Sequence, residues 1–212
     1  MKTDLNDKQI QILEVAETLF AEKGFDGTSI RDISKVAKIN IAMVSYYFGS
    51  KDLLLESLIK HKTGGLKEQL ANLLEENLEP IEKINKLIEL YINRINCNRG
   101  IYRIMHFEIT TKKNENIHHY FTELKKSNLK SLEIIIKEGQ AKGIFRKDIN
   151  IPLITPTIIG TFFHFQMNKD FYEEILGLKT DTLYNNYIKT DLTKHIQQTI
   201  KALLIYEIAT KD

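Results

Sequence analysis

The segment KINIAMVSYYFGSK, Lys38 to Lys51, sets the tightest limit on how this chain can fold. Its apolar run Ile41–Phe48 spans about two helical turns, and so short a helix does not persist alone. Asn40 is of a type that caps a helix start, and Gly49 of a type that ends one. Only Lys38–Asn40 separate this run from an earlier helical stripe, Ile30, Ile33 and Ala37, so the two segments must meet at a tight turn. Further upstream, Ile10, Leu13, Ala16 and Phe20 recur as one face of a helix, capped by Asp4 or Asn6 and closed by Gly24. FDGTS supplies the next turn, with Thr28 or Ser29 as cap of the second helix. The spacing predicts two short helices joined by a three-residue turn and packed on a longer first one, a helix-turn-helix. Val44 and Phe48 would point to the core, leaving Ile41, Ala42, Ser45, Tyr46 and Tyr47 on the other faces. A short helix with a free N-terminus and small side chains there can enter a major groove.

Charge placement agrees with this. The formal net charge of +2 says little alone. Residues 1–51 carry seven Lys/Arg against seven Asp/Glu, yet no acid stands between Ile33 and Lys51, where Lys35, Lys38 and Lys51 do. An acid-free, weakly basic strip is what a phosphate-facing surface requires.

These residues also carry a family resemblance. GFDGTSIRDISKVAKINIAMVSYYFGSKDLL, starting at Gly24, resembles the DNA-binding domain of the TetR family of bacterial transcriptional regulators, over roughly residues 8–60. The likeness rests on the Leu19-Phe20, Gly24-Phe25 and Thr28 junction, on Ile33-Ser34 with Ala37, and on Tyr47-Phe48, Ser50-Lys51-Asp52 and Leu54. EGQAKGIFRKD, Glu138–Asp148, is similar to a common connection between helices 7 and 8 of the family. The resemblance implies an all-α chain of about nine helices. Residues 1–50 would form a three-helix DNA-binding domain with a helix-turn-helix, and residues 51–212 an all-helical ligand-binding and dimerisation domain. It implies a cytoplasmic, homodimeric regulator, usually a repressor, released from a near-palindromic double-stranded DNA operator by a small-molecule effector.

The expected DNA-binding set follows from both readings. Ile41, Ala42, Met43, Ser45 and Tyr46 should face base edges or the groove wall, with Ala42 and Met43 against thymine methyls. Thr28, Ser29, Tyr47 and Lys51 should hold phosphates, and Asn40 completes the set. Many family members carry a tyrosine where this chain has Ser45; Tyr46, directly after it, is the expected substitute.

The remaining sequence reads as helix. Ser50 opens a long helix towards Leu78, interrupted at Gly64-Gly65, a pair that is either a plain break or a pivot. Pro80 starts the next, with Ile84, Leu87, Tyr91 and Ile95 in a stripe; Ile101–Thr110 and Asn116–Lys142 follow. Ile151–Met167 is apolar on every side, so it must be covered on every side. It falls short of the ~20 uninterrupted apolar residues of a membrane span. Phe171–Thr190 reads as a connection, and Leu192–Ala209 closes the chain. The helices at Ile151–Met167 and Leu192–Ala209 are expected to pair with their copies in a second subunit through Ile159, Phe162, Phe163, Ile196, Ile200 and Leu203. The effector cavity that the resemblance implies would be lined by Tyr91, Tyr102, Met105, His106, Tyr120, Phe121 and Phe163, which suits an apolar or aromatic ligand.

No catalytic, metal or cofactor motif is found. There is no G-x-S-x-G, Walker loop, G-x-G-x-x-G or H-E-x-x-H. His118 and His119 are adjacent and point apart; His106 and Glu108 also diverge. His164 is either a buried histidine or a pocket-lining one. The single Cys97 excludes an intrachain disulfide and a cysteine metal cluster, which suits a reducing cytoplasm. Lys2, Asp4, Asp7 and Lys8 leave no apolar signal-peptide core. Two further readings stay open: a DNA-binding dimer without an effector, and an all-helical small-molecule carrier or enzyme with a vestigial DNA-binding domain.

Overall fold

A computed structural model describes residues 5–111 and 115–205, apart from the side chains of 106–111. The described residues are all-α, in twelve helices where the sequence suggested about nine: α1 (Asp7–Lys23), α2 (Ile30–Ala37), α3 (Ile41–Phe48), α4 (Lys51–Thr63), α5 (Gly65–Glu75), α6 (Pro80–Cys97), α7 (Arg99–Thr111), α8 (Glu115–Ala141), α9 (Ile154–Met167), α10 (Lys169–Leu176), α11 (Asp181–Tyr187) and α12 (Thr193–Leu204). A 3-10 turn, Ile151–Leu153, precedes α9, and a π turn, Ile188–Leu192, precedes α12.

The larger count has local causes. α4 and α5 separate at Gly64, where a Cβ would stand 2.9 Å from the Lys60 carbonyl oxygen. The stretch expected to be a connection, Phe171–Thr190, instead contributes most of α10 and α11. Gly177, at φ 67°, closes α10, and the Thr180 hydroxyl accepts the Leu183 N–H to cap α11.

The chain forms two compact units. The first runs through Gly65 and also takes in Asn98–Leu124; the second holds Leu66–Cys97 and the chain from Lys125 onward. In compactness, therefore, α4, α7 and the start of α8 go with the first three helices, rather than dividing from them at residue 50.

The first unit is built on α1, whose start is a reciprocal capping box between Asn6 and Gln9. Its buried stripe of Ile12, Leu13, Ala16 and Phe20 meets Ile33 of α2, Val44 and Phe48 of α3, and Leu54, Leu55, Leu58 and Ile59 of α4. Each of the Ile, Leu, Val and Phe side chains among them contributes roughly 1.5–3 kcal/mol on burial. Ile101 and Ile104 of α7 and Ile117 and Phe121 of α8 complete this core. Glu17 ties the later segment in: it accepts the Ile101 N–H at 3.1 Å and pairs with Lys62 at 2.8 Å.

In the second unit α6 is buried along Ile84, Leu87, Ile88, Tyr91, Ile92 and Ile95. The EGQAKGIFRKD stretch has a packing explanation. Only a glycine at 139 lets the Phe145 ring lie where a Cβ would stand, 2.1 Å from a ring carbon. Gly143, at φ 72°, reverses the chain between them. The Gly139 carbonyl then accepts the Ile144 and Phe145 N–H groups, at 2.9 and 3.1 Å, and Arg146 N–H donates to Leu204 O at 2.8 Å. Lys83, almost fully buried, is paired with Glu138 at 3.0 Å, and Lys142 pairs with Glu138 at 3.1 Å. These two ammonium groups hold the Glu138 carboxyl below its usual range.

Candidate nucleic-acid interface

The α2–α3 pair is fixed at every joint. Ser29 caps α2, exchanging hydrogen bonds with Asp32 in a capping box. Its hydroxyl donates to the Asp32 carboxylate at 2.5 Å, a bond that lowers the Asp32 pKa. α2 ends at Lys38, the one non-glycine residue with positive φ among those described, at φ 53° and ψ 41°. There the Lys38 N–H donates to Ser34 and Lys35 carbonyls, and Ile39 N–H donates to Ser34 O at 3.0 Å. From α1, the Gln11 amide donates to Ala37 O at 3.0 Å and holds this end in place. The Asn40 side chain accepts the Ala42 N–H at 2.8 Å and starts α3. Gly49, at φ 75°, ends it, and Ser50 caps α4.

With Val44 and Phe48 buried, the opposite side of α3 is a ridge made by Ala42 and Tyr46, flanked by Met43 and Ser45. Tyr46 is 84% exposed, Ile41 44% and Met43 37%. Tyr47 is half-buried, its ring set edge-on between Tyr46 and Phe48. Asn40 and Ser29 are exposed. On α2, Arg31, Lys35, Val36 and Lys38 are also exposed. Val36, three residues after the buried Ile33, lies past the edge of the buried stripe and is 56% exposed.

Of the expected phosphate contacts, Thr28 needs correcting, and Lys51 has another role in this structure. Thr28 is buried, and its hydroxyl donates to Leu19 O at 3.2 Å and Gly24 O at 2.9 Å, so it staples the α1–α2 turn and offers nothing outward. Lys51 sits at the first position of α4, where the helix dipole disfavours a cation. Its chain reaches back instead: the ammonium donates to Phe25 O at 2.9 Å and Thr28 O at 3.0 Å, and lies 4.2 Å from the centre of the Phe25 ring. Lys51 pins the turn that presents α2. Two of its three N–H donors are engaged by these carbonyl oxygens.

The expected interface residues of the second unit divide. Phe162, Ile196 and Ile200 are at most 2% exposed within a single chain, so they are core and cannot meet a partner; this corrects their assignment. α9 buries Ile154, Ile158, Phe162 and Phe165 and turns Gly160 and Met167 outward, with Ile159 and Phe163 half-buried; Leu203 of α12 is exposed. The expected effector residues are also split. Tyr102, Met105, Tyr120 and Phe121 belong to the first unit, where Tyr120 and Thr63 hydroxyls are 2.8 Å apart. Tyr91 and Phe163 belong to the second, and the side chain of His106 lies outside the described residues. The second unit has a groove of about 490 Å³ along Thr161, His164, Phe165, Tyr172, Leu192 and His195, lined by none of them. His164 is thus groove-lining, its Nδ1 3.3 Å from the Tyr172 hydroxyl. No group of three or more metal-binding side chains occurs among the described residues, and no described helix is long and apolar enough to cross a membrane.

Comparison with known proteins places this geometry in a lineage. Residues 12–58 match the model of bacterial regulatory proteins of the tetR family, and residues 59–173 match the C-terminal region of YsiA-like proteins. The transcriptional repressor NicS of Pseudomonas putida is 30% identical over 176 residues, 79% of either chain. The probable transcriptional regulator YttP of Bacillus subtilis is 31% identical over 156 residues, 72% of either chain. Among solved structures, the fatty acid degradation regulator FadR from Bacillus halodurans superposes with a TM-score of 0.75 at 22% identity, covering 94% of this chain and 97% of its own. FadR from Bacillus subtilis in complex with stearoyl-CoA superposes with a TM-score of 0.67 at 21% identity, covering 91% and 97%. A helix-turn-helix whose reading helix is capped, buried on one side and bare on the other, with these matches along most of its length, makes this chain a DNA-binding transcriptional regulator of the TetR family.

Proposed function

We propose that the chain acts in the cytoplasm as a homodimeric repressor that leaves a near-palindromic operator when a small, mostly apolar effector binds. The observation that carries the reading is the bare Ala42–Tyr46 ridge of α3, set beside the exposed Lys35 and Lys38 in the acid-free stretch that follows Asp32. Lys35 and Lys38, with Tyr47 and Ser29, replace Thr28 and Lys51 as the phosphate-facing set. Dimerisation through α9 and α12 is supported by the outward Met167 and Leu203 and the half-buried Ile159 and Phe163. A two-fold dimer of this kind would present its reading helices about 34–36 Å apart, one turn of duplex. An effector with an apolar part is supported by the stearoyl-CoA bound to the Bacillus subtilis FadR, whose acyl chain is apolar although its coenzyme end is anionic.

The test is fluorescence anisotropy on duplexes from the region upstream of the chain's own gene, at two salt concentrations. Binding at least a thousandfold tighter than to scrambled duplex is expected. Equal affinity for both duplexes would sink the reading.

A further inference from the structure

The chemistry of α3 restricts what sequence it can read. We propose that the operator half-site is recognised through thymine methyl groups, so that the base pairs under α3 are A·T rather than G·C. This rests on the DNA-binding reading above. Guanine presents two acceptors in the major groove, which arginine or lysine grips; cytosine presents a donor, which a carboxylate accepts. Between Ile39 and Ser50 the chain has no Arg, Lys, His, Gln, Asp or Glu. Asn40 is the sole amide there, and its oxygen is already committed to the Ala42 N–H at 2.8 Å. The cations nearest in sequence, Arg31, Lys35 and Lys38, lie on α2 and its C-terminal cap, the part of such a motif that crosses the phosphate backbone.

Beside the Ser45 and Tyr46 hydroxyls, which can serve either a donor or an acceptor and so choose between no base pairs, what α3 exposes is carbon. Ile41 and Met43 are 44% and 37% exposed, and Ala42 lies open between them on the first turn, the turn that meets base edges. Thymine alone among the bases offers a methyl in the major groove. Covering one methyl is worth about a fourfold change in affinity.

Duplexes bound by the full chain are selected from a random pool, and thymidine under α3 is then replaced by deoxyuridine, which pairs identically but lacks the methyl. The expected result is an A·T-rich half-site, about fourfold weaker binding for each methyl removed, and tighter binding when a substituted cytosine is replaced by 5-methylcytosine. In Met43→Ala, whose side chain is not part of the core, the penalty should vanish at one position and persist at the others. Uracil duplexes that bind as tightly as thymine duplexes, or selected G·C pairs under α3, would overturn the inference and leave DNA binding standing. A pool that yields no preferred sequence would overturn the DNA-binding reading itself, and this inference with it.

Discussion

α3 and α9 are both rich in apolar side chains, and both leave some of them in water. α3 does so over eight residues, between an asparagine cap and a glycine stop, with hydroxyls at Ser45 and Tyr46 and lysines on the neighbouring helix. α9 does so over fourteen, and its neighbours add to the apolar surface: Met167 is 79% exposed, Phe171 and Ile175 of α10 are 55% and 56%, and Leu203 of α12 is 44%. Apolar groups spaced among polar ones suit a groove where methyls alternate with polar base edges and phosphates. Four apolar groups carried on three packed helices suit a second protein surface. The same excess of carbon therefore points to two different partners, and its border decides which.

The comparison breaks most easily at α9. Phe162→Ala removes a fully buried ring and is expected to cost about 3–5 kcal/mol of fold stability in urea titration. Met167→Glu together with Leu203→Glu should instead leave the helical content intact and yield a monomer in light scattering. If Phe162→Ala only separated subunits while the double glutamate variant unfolded, the inward and outward sides of α9 would be reversed.

A sharper test on the DNA side concerns Lys51. Lys51→Met removes two hydrogen bonds from a charged donor, roughly 1.5–3 kcal/mol in thermal melting if the two act as one unit. Operator affinity should fall with it, but the slope of affinity against salt should hold, because no phosphate contact is lost. Lys38→Ala should do the opposite, lowering the slope by about one unit with little change in melting. A reduced slope for Lys51→Met would restore it to the phosphate set.

Thr28→Val should cost about 1–3 kcal/mol, as the Leu19 and Gly24 carbonyls lose their hydroxyl donor. An unchanged melting temperature would show that water replaces the hydroxyl. The smallest effect is in pH. The Asp32 carboxyl is held below its ordinary 3.8 by hydrogen bonds from Ser29, and Glu138 below its 4.5 by Lys83 and Lys142. A depressed carboxyl stabilises the fold above its unfolded value and loses that contribution as pH falls through its folded one. Lys142 and Lys169 of the second unit are raised above 10.5, chiefly by Glu138 and Asp181, so their contribution is lost only as pH climbs beyond that. Circular dichroism of Asp32→Asn between pH 5 and 2 should show a flatter loss of helix than the parent chain. Identical curves would remove Asp32 from the account.

Much of the helix-turn-helix was legible because its information is local. Asn40, Gly49 and Ser50 announce their helix ends by type, and the Val44–Phe48 spacing tells which side of α3 is buried. What the sequence hid was tertiary. Nothing in the order of residues tells that Lys51 would turn back to carbonyls on another turn, or that the Thr28 hydroxyl would face inward. α9 misled for a related reason: its composition is apolar on all sides, so no pattern separates Phe162, which is core, from Phe163 beside it. The helical nature of Phe171–Thr190 was obscured because α10 and α11 are only eight and seven residues long, too short for the i,i+4 pairs Phe171/Ile175 and Tyr184/Ile188 to make a long stripe.

The reach of Lys51 back to Phe25 and Thr28 has a consequence for motion. It joins the first turn of α4 to the turn that starts α2, across more than twenty residues of chain. Segments tied in this way open together, not one by one. The backbone amides that form the first turns of α2 and α4, Ile33 N–H on Ser29 O and Leu54 N–H on Ser50 O, should then exchange with deuterium at matched rates. Cutting the tie with Lys51→Met should let the amide of α2 exchange first, while that of α4 keeps its pace.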